Sequence, residues 1–227
     1  MNEHSFIFVF YLPFPLIRAF TDCRGNTIFA SMRIRDENKI EAIFEKALEM
    51  IVKEGFEGLS MQKLAKAAGV SPATIYIYFT DKEDMLLKLY KKEVERYFEF
   101  ILEGFDPEMD FAPGLAVQWK RRAQYIFDHP DRAHFMEHFT FTPLLGKSVK
   151  TKDSPFSKIM HRFVNKAIRN KELVEMPFEV YWSVAFSPLY NLVKFHKAGI
   201  NVSGEPFELT ETMLMQTLSL VLKALKP

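Results

Sequence analysis

From Arg33 onward, apolar residues recur every three or four positions, and no stretch shows sustained alternation of apolar and polar residues. This spacing is typical of amphipathic helices and predicts an all-α protein. Glycine, proline and short polar segments separate the periodic stretches. The predicted helices, about nine in all, cover residues 36–54, 61–67, 72–79, 81–103, 113–128, 131–141, 155–170, 177–198 and 207–225.

Several local signals mark helix starts and a turn in the N-terminal third of the chain. Ser60 and Ser71 can each cap a short helix through a side-chain oxygen. Gly69 suits a left-handed turn between these two helices. Thr80 and Glu83 have the spacing of a capping box at the start of a long helix. Two short helices, supported by one helix before and one after, form a helix-turn-helix pattern.

The second short helix has one side for the core and one side for a partner. On a helical wheel, Ile75 and Phe79 share one side and must pack inward. The opposite side is centred on Ile77, with Tyr76 and Tyr78 at its two edges. An outward face with an apolar centre is not built for water, and it indicates a surface shaped to lie against the edge of a DNA duplex.

Residues 59–86 closely resemble the DNA-binding signature of the TetR family of bacterial transcriptional regulators. The caps, the turn, the aromatic pair and the lysine after the second helix occur together in register. The matching elements are Ser60, Leu64-Ala65, Ala68-Gly69-Val70-Ser71, Thr74-Ile75-Tyr76, Tyr78-Phe79 and Lys82-Glu83. The resemblance implies a homodimer whose N-terminal helices bind a palindromic operator in double-stranded DNA. It also implies a variable C-terminal domain that binds a small molecule, which releases the DNA.

The resemblance further assigns residues to the DNA interface. The recognition helix would carry Ser71, Pro72, Ala73, Thr74, Tyr76, Ile77 and Tyr78, with Gln62 at the start of the preceding helix and Lys82 just past the recognition helix. Hydroxyl groups can donate to phosphate oxygens, which position a helix without reading sequence. The candidates for such contacts are Ser60, Thr74, Tyr76 and Tyr78.

Two positions depart from the common pattern of the family. Many relatives have a basic residue where this chain has Pro72, and a polar or basic residue where it has Ile77, so neither position here can donate to guanine. Ile77 and Ala73 instead suit thymine methyl groups, and Gln62 is the best candidate for a bidentate contact with a base. We therefore predict an operator with T/A-rich half-site centres.

The charge of the chain supports a local rather than a global DNA contact. The net charge is +1, and residues 33–82 contain eight basic and eight acidic residues. Affinity must therefore come from a few well-placed cations. The candidates are Arg33, Arg35, Lys63, Lys66 and Lys82. For Lys63 and Lys66 the alternative is that they only solvate a helix face.

The predicted helix 177–198 has apolar residues on two sides, which predicts burial on two sides. The resemblance supplies a reason, because the last two helices would pair with those of a second chain. Pro188 should kink this helix and open space towards the domain interior. The candidates for lining that space are Trp119, Tyr125, Phe135, His138, Phe139, Trp182, Phe186 and Tyr190. Ordinary core packing is the alternative for each of them.

Catalytic and metal sites have little support in the sequence. It contains no nucleophile elbow with its base, no zinc-protease motif and no paired carboxylates in a glycine-framed cleft. His134 and His138 are four residues apart and could share a metal ion, but the third ligands on offer, Asp131, Glu137 or His161, are unconvincing. Ordinary polar histidines are therefore favoured, and we expect no enzyme, no cofactor and no metal.

The first 31 residues differ from the rest of the chain. Residues 6–17 are apolar but too short to span a membrane, and no basic residue precedes them as in a signal peptide. We interpret residues 1–31 as a non-native or disordered extension, with Met32 as the natural start; a weak membrane or export segment is the alternative. The single cysteine, Cys23, excludes a disulfide framework and indicates a cytoplasmic protein.

These patterns predict a helix-turn-helix domain over residues 33–80 and a ligand-binding and dimerisation domain over residues 81–227, with 81–103 as the connecting helix. The predicted function is that of a repressor that a small hydrophobic ligand releases from its operator, without contact to a membrane. The alternative is a DNA-bound protein whose C-terminal domain binds protein partners. A helical enzyme with a vestigial DNA module has no set of residues in its favour.

Overall fold

The computed structural model describes residues 27–148 and 154–227, and side chains for residues 36–146 and 154–227. These residues form ten helices and one isolated bridge between Ile200 and Pro206. The helices are α1 (Thr27–Gly58), α2 (Met61–Ala67), α3 (Pro72–Tyr78), α4 (Lys82–Leu102), α5 (Phe111–Asp128), α6 (Pro130–Phe139), α7 (Leu145–Ser148), α8 (Pro155–Arg169), α9 (Phe178–Ala198) and α10 (Glu211–Leu225). The all-α prediction is confirmed for this part of the chain, where no helix is long and apolar enough to cross a membrane.

Several helix bounds differ from those predicted. α1 begins at Thr27, and Gly55 interrupts it with a φ of 72° before one last turn. α10 begins at Glu211, because the side chain of Thr210 caps it there. α7 is a single helical turn in a segment that the sequence predicts to be a connection between two helices. Of the segment 1–31, which we interpret as an extension, residues 1–26 lie outside the described residues.

Contacts divide the described residues into two compact units. The first unit comprises residues 27–96 and 129–148, and the second comprises residues 97–128 and 154–227. α6 therefore belongs to the same unit as the α2–α3 pair, a grouping that the sequence does not indicate. The boundary after residue 80 stays a prediction.

The first unit has a core to which α1, α3, α4 and α6 contribute. Ile75 of α3 is fully buried, and the ring of Phe79, just after α3, lies 5.6 Å from the ring of Phe44 on α1. Tyr90 of α4 stacks on Phe139 of α6 with 4.0 Å between the ring centroids. Because large side chains in a close-packed core have little freedom, this packing holds α3 in a fixed orientation.

In the second unit, α9 packs against α5 and α10. Trp119 of α5 is fully buried, and its indole N–H donates to the carbonyl oxygen of Ala185 on α9 at 2.8 Å. Gly114 of α5 lies under the ring of Phe163 on α8, where an added Cβ would come within 2.6 Å of a ring carbon. These contacts fix α5 between its neighbours, and they bury a third α5 residue, Arg122.

Candidate nucleic-acid interface

The α2–α3 pair is held by the caps and the turn that the sequence predicts. The Ser60 side chain accepts a hydrogen bond from the backbone N–H of Lys63 at 3.2 Å, and Ser71 accepts one from that of Thr74 at 3.1 Å. Gly69 makes the turn with a φ of 67°. These three predictions are confirmed, and the pair is therefore fixed by local hydrogen bonds as well as by its core.

The start of α4 is capped one residue later than predicted. Asp81 accepts from the backbone N–H of Asp84 at 2.8 Å, and Asp84 accepts from the backbone N–H of Thr80 at 2.9 Å. The predicted pairing of Thr80 with Glu83 is therefore wrong, and a carboxylate at this end also benefits from the helix dipole. Slight burial would raise the pKa of Asp84, but hydrogen bonds from Lys88 and from the Thr80 backbone outweigh it and lower the pKa.

α3 presents an apolar face to solvent. Ile77 is 76% exposed and Tyr76 is 53% exposed, whereas Ile75 and Phe79 are buried on the other side. The helical wheel is therefore correct about which residues point inward and outward. The other predicted interface residues that are exposed are Ser60, Gln62, Lys63, Lys66, Ser71, Pro72 and Ala73. Their contact with DNA stays a prediction.

Tyr78 has an internal partner that the sequence does not indicate. Its hydroxyl donates to Oδ1 of Asp36 on α1 at 2.8 Å, and this hydrogen bond raises the pKa of Tyr78. The side-chain oxygens of Thr74 and Ser71 are also within hydrogen-bond distance, at 2.9 Å. In the described part of the chain, no hydrogen bond involves the hydroxyl of Tyr76. Tyr76 is therefore the tyrosine of α3 whose donor remains available to an external acceptor.

The predicted cations differ in their internal partners. Nζ of Lys82 donates to the carbonyl oxygen of Phe56 at 2.6 Å, and Nζ of Lys63 lies 3.3 Å from Oε2 of Glu54. Lys66 is exposed and has no ion pair with any described residue. The other two candidates are Arg33 and Arg35, and their side chains are not among those that the structure describes. Among the described candidates, Lys66 is thus the lysine with the fewest ties to the protein.

Lys88 fixes the end of α3, although the sequence gives no reason to select it. Its Nζ donates to the carbonyl oxygen of Tyr78 at 3.0 Å and to Oδ2 of Asp84 at 2.8 Å. It therefore satisfies a carbonyl group at the C-terminal end of α3, where a cation also interacts favourably with the helix dipole.

A buried ion-pair network joins α1, α4 and α6. Glu93 of α4 is fully buried, and its Oε1 accepts from Nη1 of Arg96 and from Nη1 of Arg132, each at 2.6 Å. Arg132 also pairs with Glu45 of α1 at 2.5 Å, and Arg96 pairs with Glu41 of α1. Burial raises the pKa of Glu93, and Arg132 opposes this effect. The network connects α4 and α6 to the helix that supports α3.

The predicted ligand-site residues fall into two groups. In the second unit lie Trp119, Tyr125, Trp182, Phe186 and Tyr190, and in the first unit lie Phe135, His138 and Phe139. The two phenylalanines are fully buried in the core of the first unit, whereas His138 is exposed. The rings of His134 and His138 lie 4.1 Å apart, and the described residues contain no group of three side chains suited to a metal ion.

The fold and the exposed face of α3 define the class of helix-turn-helix proteins. A family model described as bacterial regulatory proteins, tetR family, matches residues 43–89. The chain is 32% identical over 185 residues to the HTH-type transcriptional repressor AcnR of Corynebacterium efficiens, a match that covers 77% of this chain and 92% of the repressor. The chain therefore belongs to the TetR family of bacterial regulatory proteins.

Two further comparisons differ in extent. The chain is 39% identical over 79 residues to a fatty acid metabolism regulator protein of Bacillus subtilis, which covers 35% of this chain and 41% of that protein. The match thus spans less than half of that relative. Among solved structures, a TetR family transcription regulator from Marinobacter aquaeolei VT8 has a TM-score of 0.71 at 27% identity, over 86% of this chain and 98% of the other. The shared fold extends through most of the chain.

Proposed function

We propose that the chain is a DNA-binding transcriptional regulator whose α3 enters the major groove of an operator. The observation that carries this proposal is the 76% exposure of Ile77 at the centre of a helix whose other face is buried. A large apolar side chain in this position contributes little to the core, and a thymine methyl group is a partner of matching chemistry. The hydroxyl of Tyr76 at the edge of this face supports a phosphate contact.

A homodimer would present two copies of α3 to a palindromic operator. On α10, Leu218 and Val221 are buried in the second unit, while Met213 is 40% exposed and Leu220 is 64% exposed. Met213 and Leu220 are seven residues apart and therefore share one face of the helix. Such an exposed apolar face supports pairing of the last two helices with those of a second copy.

We infer that a small apolar ligand bound in the second unit weakens DNA binding, so that the protein acts as a repressor. The designation of the Corynebacterium efficiens relative as a repressor supports this polarity. The aromatic side chains gathered in the second unit support an apolar ligand. That both curated relatives named above are regulators supports a non-enzymatic role.

Selection of binding sites from random duplexes, carried out with the full chain, tests the proposal. The protein should enrich a palindrome with T/A-rich half-site centres, and two chains should bind each duplex. Tyr76→Ala should weaken binding to all duplexes by a similar factor, because a phosphate contact carries no sequence information. Tyr76→Phe is the matched control, since it removes only the hydroxyl. A protein that enriches no sequence at low salt, or that stays monomeric in light scattering, would contradict the proposal.

A further inference from the structure

Arg122 of α5 is a buried cation without a counter-charge. It is 1% exposed. Nη1 donates to the hydroxyls of Tyr97 at 2.7 Å and Tyr190 at 3.1 Å, and Nη2 donates to Oε1 of Gln118 at 3.1 Å. All three acceptors are neutral, and no carboxylate in the described part of the chain forms an ion pair with Arg122. Because arginine stays protonated inside proteins, the charge remains.

Aromatic rings surround this guanidinium group. Its central carbon lies 4.3 Å from the ring centroid of Phe186, 5.0 Å from that of Trp182, and 5.8 Å from those of Tyr97 and Phe156. Ring faces attract a cation through their quadrupole, but they carry no net charge and do not neutralise it. The rings also lower the local dielectric constant, so an opposite charge beside Arg122 would be attracted strongly.

Two donors in this cluster lack acceptors. Nε of Arg122 and the hydroxyl of Tyr181 are both buried, and neither has a hydrogen-bond partner among the described residues. The ring of Tyr181 lies 6.3 Å from that of Phe186, the same ring that lies 4.3 Å from the guanidinium carbon, so the phenol belongs to this cluster. Buried donors without acceptors are rare in native proteins, and each calls for an explanation.

We propose that Arg122 and Tyr181 bind the carboxylate of an effector, and that the apolar body of this acid lies among the neighbouring aromatic rings. This inference rests on the proposed function, since it names the chemical class of the effector. A carboxylate accepts hydrogen bonds through two oxygens, so it can satisfy both unpaired donors while it neutralises the guanidinium. Trp182 is the partly exposed ring of the cluster, so it lies between the buried guanidinium and solvent.

The rival explanation is that Arg122 is a structural hydrogen-bond centre, and the substitution Arg122→Met separates the two. It removes the charge and keeps much of the side-chain volume. A structural centre would be destabilised, because Tyr97, Tyr190 and Gln118 would lose their shared donor. The proposal adds that a carboxylic acid stabilises the wild type and has no effect on Arg122→Met, which a purely structural role does not predict.

Thermal unfolding of the full chain with added carboxylic acids tests the proposal. The probes are decanoate, laurate and phenylbutyrate, each compared with its methyl ester, which keeps the body but not the charge. At least one acid should raise the Tm of the wild type, and its ester should bind about tenfold more weakly or worse. Arg122→Met should abolish the response to the acid. Arg121→Met, at the adjacent and partly exposed position, should preserve it.

Tyr181→Phe provides a readout that does not depend on the folding of Arg122→Met. It removes a hydroxyl without a partner, so Tm should not fall, while affinity for the acid should decrease several-fold. The inference is overturned if acid and ester act equally, or if Arg122→Met still responds to the acid. It is also overturned if no acid stabilises the wild type.

DNA binding of the unliganded protein, measured in parallel by fluorescence anisotropy, keeps this inference separate from the proposed function. A protein that binds DNA but none of the acids contradicts the inference alone. A protein that binds an acid through Arg122 but binds no DNA contradicts the proposed function alone.

Discussion

Replacing Ile77 with alanine tests how α3 meets DNA, because the residue contributes so little to the protein itself. Ile77→Ala removes three carbons from a side chain that is 76% exposed. Since about a quarter of that surface is buried, and a buried methylene contributes about 0.8 kcal/mol, the loss of folding free energy should be about 0.6 kcal/mol at most. For a chain of this size, that corresponds to a fall in Tm of about 2 °C.

The expected loss in DNA affinity is larger. Full burial of the three carbons would be worth about 2.4 kcal/mol, and contact with thymine methyl groups on one side only would give about half of that, about 1.2 kcal/mol per half-site. Two half-sites together lose about 2.4 kcal/mol, which is a weakening of about 50-fold. The value per half-site lies within the range of about 1–3 kcal/mol that good base contacts contribute to discrimination.

Fluorescence anisotropy at one fixed salt concentration measures this loss, with the selected operator and with a duplex in which deoxyuridine replaces the contacted thymidines. Deoxyuridine lacks the methyl group, so it should weaken binding of the wild type but have little effect on Ile77→Ala. Val202→Ala, which alters an 85% exposed residue between α9 and α10, is the control. If the two duplexes differ as much for Ile77→Ala as for the wild type, α3 does not read thymine methyl groups. A fall in Tm of more than about 5 °C would mean that Ile77 has a structural role.

Three further predictions concern the surroundings of α3. Glu93→Ala should cost about 3 kcal/mol in urea unfolding, because two partly exposed guanidinium groups lose the buried carboxylate that they share. Glu95→Ala on the same helix should cost less than about 1 kcal/mol. Tyr78→Phe should cost about 1 kcal/mol and show coupling to Asp36→Ala in a double-mutant cycle, whereas additive effects would show that the hydrogen bond contributes nothing. Lys66→Ala should make the slope of log affinity against log salt shallower by about one unit per half-site, and an unchanged slope would mean that Lys66 only solvates its helix.

The local features of the DNA-binding pair are predictable from sequence because they depend on residues three or four positions apart. Ser71 caps α3, Ile75 points inward and Ile77 points outward, and each of these follows from spacing alone. The start of α4 is less certain, since Thr80 and Asp81 are adjacent acceptors and each has an acidic residue three positions later. Which of the two forms the cap depends on the geometry of the preceding turn, and the sequence does not reveal it.

The two buried charges are not predictable, because their partners are distant in sequence. The segment KKEVERY, residues 91–97, has the pattern of a solvated helix face, yet Glu93 within it accepts from a residue 39 positions away. In WKRRAQ, residues 119–124, Arg122 turns inward and donates to a residue 68 positions away, while its neighbour stays partly exposed. A run of like residues does not show which one faces the core until the tertiary contacts are known.

Glu93 and Arg122 are both buried, but only the charge of Glu93 is compensated by opposite charges. This difference indicates a structural role for Glu93 and ligand recognition for Arg122. The carboxylate of Glu93 accepts from two guanidinium groups in its own unit. Arg122 is surrounded by phenol and amide oxygens and by ring faces, which carry no charge. Removing the carboxylate takes away the buried partner that Arg96 and Arg132 share, whereas removing the guanidinium leaves only neutral groups behind. Neutral donors could satisfy the phenol and amide oxygens around Arg122, so these hydrogen bonds do not explain why a charge is buried there, whereas the proposed acid does.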